Sequence, residues 1–102
     1  MSESKLQKQI IDDLPGWNVK TIATNKRGTP DLLCCIPMSK KQIKKLFKKQ
    51  KKIGVFVALE VKNPNGKGVT SKLQKYRIKH IKEAGGIAGV VKSLQEVKNM
   101  LQ

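Results

Sequence analysis

Near the middle of the chain an apolar run, Val55-Phe56-Val57-Ala58-Leu59, passes without a break into Glu60 and Lys62. Residues two apart on a strand share a face, so these opposite charges stand side by side. Charges on so apolar a strand are costly to bury unless they are paired or bound to something. A third charged residue, Asp31, follows Gly28-Thr29-Pro30 and opens another short apolar run. Pro30 fixes the backbone entering that run. If the two runs are antiparallel neighbours, the start of one meets the end of the other, and Asp31 and Glu60 converge with Lys62 beside them. Two carboxylates aimed at one place repel unless a proton or a cation intervenes. Hard oxygen ligands suit Mg2+, which takes one or two carboxylates and keeps several waters. Such an ion polarises a phosphate and acidifies an attacking water. Lys62 would orient that water and offset the extra negative charge of the transition state. The plainer alternative is a Glu60–Lys62 ion pair with Asp31 capping a turn.

The other acids have ordinary explanations. Asp12 and Asp13 end a first helix, Glu83 lies near the end of a later one, and Glu96 sits in Ser93-x-x-Glu96, a capping box. Glu3 falls in a first helical turn, where a negative charge favours the helix dipole regardless of function. It also extends the face of positions 6, 10 and 14. Gln7 shares that face, but Ser4-x-x-Gln7 reads as a cap and keeps it out of the site. Ser71-x-x-Gln74 is likewise a capping box. His80, the single His, reads as a surface or packing residue, and Trp17 and Tyr76 as core or rim.

Composition says what such a site would act on. All but two of the 22 basic residues are Lys, against 7 acids, for a formal net charge of +15. Charge of that size seeks a polyanion, with nucleic acid ahead of an anionic membrane surface. Lys acts on phosphates as a point charge, whereas the Arg fork reads guanine edges, so backbone binding is favoured over base reading. An AT-rich genome would also enrich Lys. Hydrophobic residues are 38%, which excludes a disordered basic tail. No apolar run has transmembrane length and the N-terminus is polar, so an intracellular protein, cytoplasmic in a bacterial or phage-infected cell, is expected. Adjacent Cys34 and Cys35 would bridge only with strain and read as reduced core residues. With one His they make no zinc site.

The elements follow from periodicity and punctuation. Residues 3–14 read as a helix broken by Pro15-Gly16, 17–24 as a half-buried strand, and 31–37 as a short strand closed by Pro37. Residues 39–52 hold eight Lys in fourteen positions, with Ile43, Leu46 and Phe47 at helical spacing, a basic amphipathic helix. Residues 54–62 read as the most apolar strand, central in its sheet. Residues 71–86 form a helix with Leu73, Ile78, Ile81 and Ala84 inward and Gly85 or Gly86 at its end. Residues 87–91 form a buried strand, and 93–102 a last helix. Three consecutive strands suggest antiparallel pairing, and the later strand–helix–strand passage one parallel crossover. An α/β fold with one mixed central sheet flanked by helices is expected, within one domain spanning 1–102.

With these pieces in order, GTPDLL, FVALEVK and SKLQKY, the chain resembles the PD-(D/E)xK nucleases and is most similar to stand-alone VRR-NUC domains of phages and bacteria. The resemblance also takes in Glu3, Arg27-Gly28-x-Pro30-Asp31, Gln74 and the GGIAGVVKS stretch. It implies a restriction-endonuclease-like αβββαβ core and divalent-metal-dependent hydrolysis of phosphodiester bonds, with Mg2+ or Mn2+. It implies Asp31, Glu60 and the Val61 backbone carbonyl as metal ligands, Lys62 as the catalytic lysine, Gln74 as a supporting residue and Glu3 as an outer ligand or water-holder. The Lys-rich helix at 39–52 departs from the compact family pattern as an insertion between the second and third strands. Its Lys40, Lys41, Lys44, Lys45 and Lys48 are expected on DNA phosphates, with Lys26, Arg27, Lys67 and Lys72. Its apolar stripe could alternatively serve a dimer contact.

The resemblance points to branched DNA such as four-way junctions. Two symmetric cuts there require two sites, hence a homodimer. Scarcity of Arg and the lack of a helix-turn-helix or zinc finger agree with recognition of structure rather than sequence. Competing readings are a nicking or restriction-like enzyme on ordinary duplex and a non-catalytic basic nucleic-acid-binding protein. Peripheral membrane binding through 39–52 is disfavoured because the apolar stripe is short.

Overall fold

Ser2 starts the first helix. In the computed structural model, which describes residues 2–21, 28, 30–63, 65 and 69–102, its side chain accepts a bond from Lys5 N at 3.2 Å and caps α1 (Glu3–Asp13). The cap is therefore Ser2, not Ser4. Leu14, forced extended by the proline that follows it, ends the helix. Gly16 then turns the chain at φ +88°, against the Cys35 carbonyl and the Pro37 ring, where a side chain would collide.

That turn launches β1 (Trp17–Lys20), which pairs antiparallel with β2 (Leu32–Cys35), Trp17 opposite Cys35 and Lys20 opposite Leu32. The strands expected at 17–24 and 31–37 are both present but shorter, and residues 22–27 lie outside the described residues. Asn18 Nδ2 donates to the Ile11 carbonyl at 3.4 Å and ties α1 to the hairpin.

A reciprocal Ser39–Gln42 capping box opens α2 (Lys40–Lys49). Ile43 and Leu46 are half-buried, whereas Phe47 is exposed. After it the chain enters β3 (Val57–Val61), then α3 (Lys72–Glu83), then β4 (Ile87–Val91), which runs parallel to β3 with Val57 opposite Ile87 and Val61 opposite Val91. Helix α3 ends as a Schellman motif: Gly85 takes φ +95°, Gly86 N–H donates to the Ile81 carbonyl and Gly85 N–H to that of Lys82, each at 3.0 Å. Ser93 caps α4 (Leu94–Met100). The expected box is only half there, because Glu96 accepts from Lys92 N–H at 3.1 Å rather than from Ser93. Met100 packs over Gly89.

Among the described residues the fold is mixed α/β with four helices and small sheets. Three expectations are corrected. Among the described residues there is no single mixed sheet but two two-stranded ladders, β1–β2 and β3–β4. Residues 54–56, expected to begin the central strand, are not strand. Together with Cys34–Ile36 and Ile43 they line an apolar cleft of about 490 Å3. Nor is β3 buried on both sides. Ala58 and Glu60 are half-buried while Val57, Leu59 and Val61 are exposed, the alternation of a strand covered on one face.

Packing holds the two ladders together. Cys35, Ile81, Ala84 and Ala88 form the buried cluster, with Trp17, Phe56, Ala58 and Ile78 against it. The Trp17 and Phe56 rings meet tilted, 5.6 Å between centroids. Cys34 and Cys35 are free thiols, as expected. Burial pushes the Cys35 thiol pKa up, opposed in part by the Gly86 backbone N–H. Among the described residues no helix is long and apolar enough to cross a membrane.

Candidate active site

The covered face of β3 carries Glu60 toward α3. Lys62 lies one residue beyond the strand, and its N–H donates to the Val91 carbonyl at 2.9 Å, so the ladder fixes its backbone too. The two side chains share a face, as their spacing requires, and Lys62 Nζ lies 3.4 Å from Glu60 Oε1. Gln74, in the first turn of α3, completes the group. Its Nε2 donates to Glu60 Oε1 at 2.7 Å, and its Oε1 accepts from Lys62 Nζ at 3.3 Å and from Ser71 N–H at 3.0 Å. One amide thus holds a carboxylate with its donor side and an ammonium with its acceptor side, while still capping its own helix. Lys62 is largely shielded, its side chain 17% exposed against 33% for Glu60, so the pair is partly desolvated and the amide supplies polar partners that water supplies elsewhere.

Asp31 sits just beyond the end of the β1–β2 ladder. Thr21 N–H donates to its carbonyl at 2.8 Å, and the Thr21 hydroxyl donates to the Pro30 carbonyl at 2.7 Å. These bonds extend the pairing to the Pro30-Asp31 step and leave the Asp31 side chain exposed. Its Oδ2 accepts from Gln7 Nε2 of α1 at 3.2 Å. A small cavity of about 170 Å3 lies between Trp17 and α3, lined by Glu60, Gln74 and Arg77 among others.

Asp31 and Glu60, carboxylates at separate ladders, are hard oxygen donors of the kind a divalent cation takes. Among the described residues no three His, Cys, Asp or Glu side chains gather into a group able to hold a metal, so Glu3 does not complete a three-carboxylate cluster with Asp31 and Glu60.

The sequence model of the VRR-NUC domain matches residues 2–95. The chain belongs to the VRR-NUC family. That family is part of the PD-(D/E)xK nuclease superfamily, so the chain carries a nuclease domain, whose substrate class is DNA. Nucleases of the superfamily generally use divalent metals. No curated protein matches the chain. No solved structure matches it either.

Glu60, Lys62 and Gln74 are bonded together in this VRR-NUC chain, the ion pair included. Asp31 stands at the end of its own ladder, bonded to α1. Glu3 lies in the exposed first turn of α1, and among the described residues it makes no side-chain bond to Asp31 or Glu60. The residue of α1 that reaches Asp31 is Gln7, which sequence reasoning assigns to a cap; its place one turn after Glu3 on the same face is the signal that points to it. Arg77, one turn after Gln74, borders the same cavity as Glu60, and sequence reasoning does not single it out. Lys40, Lys41, Lys44, Lys45 and Lys48 are exposed along α2, and Lys72 is exposed at the start of α3. Lys26, Arg27 and Lys67 lie outside the described residues.

Proposed function

We propose that this protein is a divalent-metal-dependent, structure-specific DNA endonuclease that cleaves branched DNA such as four-way (Holliday) junctions as a homodimer. The observation that carries the reading is the Glu60–Gln74–Lys62 group, held in place by a parallel ladder and a capped helix. Residues 1–102 form one VRR-NUC-like domain in this reading. Its α1-β1-β2-β3-α3-β4 order corresponds to a restriction-endonuclease-like αβββαβ core, and the 39–52 segment is a basic insertion.

Asp31, Glu60 and the Val61 carbonyl would hold Mg2+ or Mn2+. When bound, the ion supplies Lewis acidity to a phosphate oxygen and acidifies a water. The chain's own residues do the rest. Lys62 places a positive charge beside Glu60, where the phosphate gains negative charge as it is attacked. Gln74 keeps that ammonium and the Glu60 carboxylate in one geometry. Glu3 serves as an outer water-holder, and Arg77 contacts a neighbouring phosphate. Lys26, Arg27, Lys40, Lys41, Lys44, Lys45, Lys48, Lys67 and Lys72 neutralise the DNA backbone, a sequence-independent attraction that suits recognition of shape. A two-fold junction needs a cut on each of two strands, and a homodimer presents two such sites.

A panel of four-way junction, flap, duplex and single-stranded DNA tests this with Mg2+ or Mn2+. Junction cleavage above duplex is expected, with none by Glu60→Gln or in excess EDTA. Equal cleavage of duplex and junction points to a nicking or restriction-like enzyme. Steeply salt-dependent binding without cleavage leaves a non-catalytic binding protein. Cleavage that survives EDTA or the Gln substitution refutes the mechanism.

A further inference from the structure

In a chain so rich in Lys, most carboxylates find an ammonium or a helix terminus. Asp12 pairs with Lys8 at 2.7 Å, Glu83 with Lys79 at 4.0 Å, and Glu96 caps α4 through Lys92 N–H. Asp31 differs. Its only side-chain hydrogen bond among the described residues comes from the amide of Gln7, 24 residues away in sequence. An amide donor favours the ionised carboxylate without cancelling its charge, which an ammonium would do. Glu60 is held the same way by Gln74, with Lys62 added.

The two glutamines are not equally spent. Gln74 uses both ends of its amide. Gln7 uses only Nε2; its Oε1 is buried and has no hydrogen-bond partner among the described residues. Flipping the amide would set oxygen against oxygen at Asp31, so the orphan is the carbonyl end in the only sensible assignment. A buried acceptor left unpaired is unfavourable and calls for an explanation.

We infer that Gln7 is a positioning residue for Asp31: its Nε2 fixes Oδ2 of the ionised carboxylate, and its Oε1 accepts a hydrogen bond from an ordered water beside that carboxylate. The inference rests on the reading of Asp31 as a cation ligand. A partner of this kind orients the ligating oxygen and raises affinity for the cation without touching it.

Gln7→Met keeps the length and shape of the side chain and removes both amide functions. Gln9→Met, on the exposed side of the same helix, is the control. Mn2+ affinity is measured by calorimetry on the full chain without DNA. Gln7→Met should weaken Mn2+ binding about 10- to 100-fold, while Gln9→Met leaves it unchanged. Asp31→Asn separates the two layers of the argument. If Asp31→Asn leaves Mn2+ affinity unchanged, the ligand reading itself fails. If Asp31→Asn abolishes binding while Gln7→Met leaves Mn2+ affinity unchanged, the Gln7 inference alone fails. Should Gln7→Met not fold, Gln7→Ala, which removes the amide without adding charge, must weaken Mn2+ binding; an unchanged affinity overturns the proposal.

Discussion

Replacing Gln74 with Ala separates the capping job of this side chain from its job at the site. The substitution unmakes the 2.7 Å bond to Glu60, the 3.3 Å bond to Lys62 and the 3.0 Å bond to Ser71 N–H. A neutral bond contributes about 1 kcal/mol, and one to a charged group about 1.5–3 kcal/mol. Glu60 keeps 33% of its side-chain exposure, so screening reduces its share, and the bond to Lys62 is long. The net loss comes to about 2–3 kcal/mol, or roughly 10–20 °C in Tm for a small domain. Ser71→Ala is the comparison. It removes the other half of the capping box, Gln74 N–H to Ser71 Oγ, for about 1 kcal/mol, and leaves the bonds to Glu60 and Lys62 intact. Thermal unfolding is measured first, and cleavage is then compared at a temperature where all three proteins are folded. Ser71→Ala should cleave near the wild-type rate. Gln74→Ala should lose about 10- to 100-fold, the usual consequence of removing a residue that orients catalytic groups. If Gln74→Ala is no less stable than Ser71→Ala and cleaves normally, Gln74 is a helix cap and nothing more.

Changing Lys40, Lys41, Lys44, Lys45 and Lys48 of α2 to Gln should weaken DNA binding alike for all sequences and flatten the log–log salt dependence by about 0.9 for each phosphate no longer neutralised; an unchanged slope in a binding titration removes α2 from the interface. Cys34 should be alkylated before Cys35 at mildly alkaline pH, because burial raises the Cys35 thiol pKa and lowers its thiolate fraction at any given pH; mass spectrometry of the native protein reads the order, and equal rates are expected only after unfolding. Gly85→Ala forces a side chain into φ +95° and should cost about 1–2 kcal/mol in urea unfolding, whereas an unaffected midpoint would show that the α3 terminus does not need the left-handed turn.

Much of the fold was legible because its signals are local. Among the described residues, four helices and four strands stand where periodicity and punctuation put them, and Ser39, Ser71 and Ser93 cap the helices they precede. The C-terminal strand runs over Ile87–Val91 as read. What pattern could not supply was non-local. An apolar stretch such as Gly54-Val55-Phe56 looks the same whether it continues a strand or lines a cleft, and here it lines a cleft. Covering one face of β3 instead of both changes no residue in Val57–Val61, only what lies opposite. The split into two ladders is likewise non-local, and no local spacing encodes it.

The site was legible to the extent that strand geometry alone dictates it. The spacing of Glu60 and Lys62 requires one face, and they share it at 3.4 Å. The glutamines were harder for a chemical reason. Sequence poses cap and site as alternatives for Gln74, but an amide has two ends, and the structure uses the carbonyl for the cap and the NH2 group for Glu60. The capping box then does more than stop the helix from fraying: by holding Oε1 on Ser71 N–H it fixes the side chain so that Nε2 faces the strand. For Gln7 the assumed cap was wrong, since Ser2 does that work, which leaves the whole amide available to Asp31. A polar residue three places after a serine should therefore be weighed by which atoms its cap consumes, because the atoms left over are the ones a site can use.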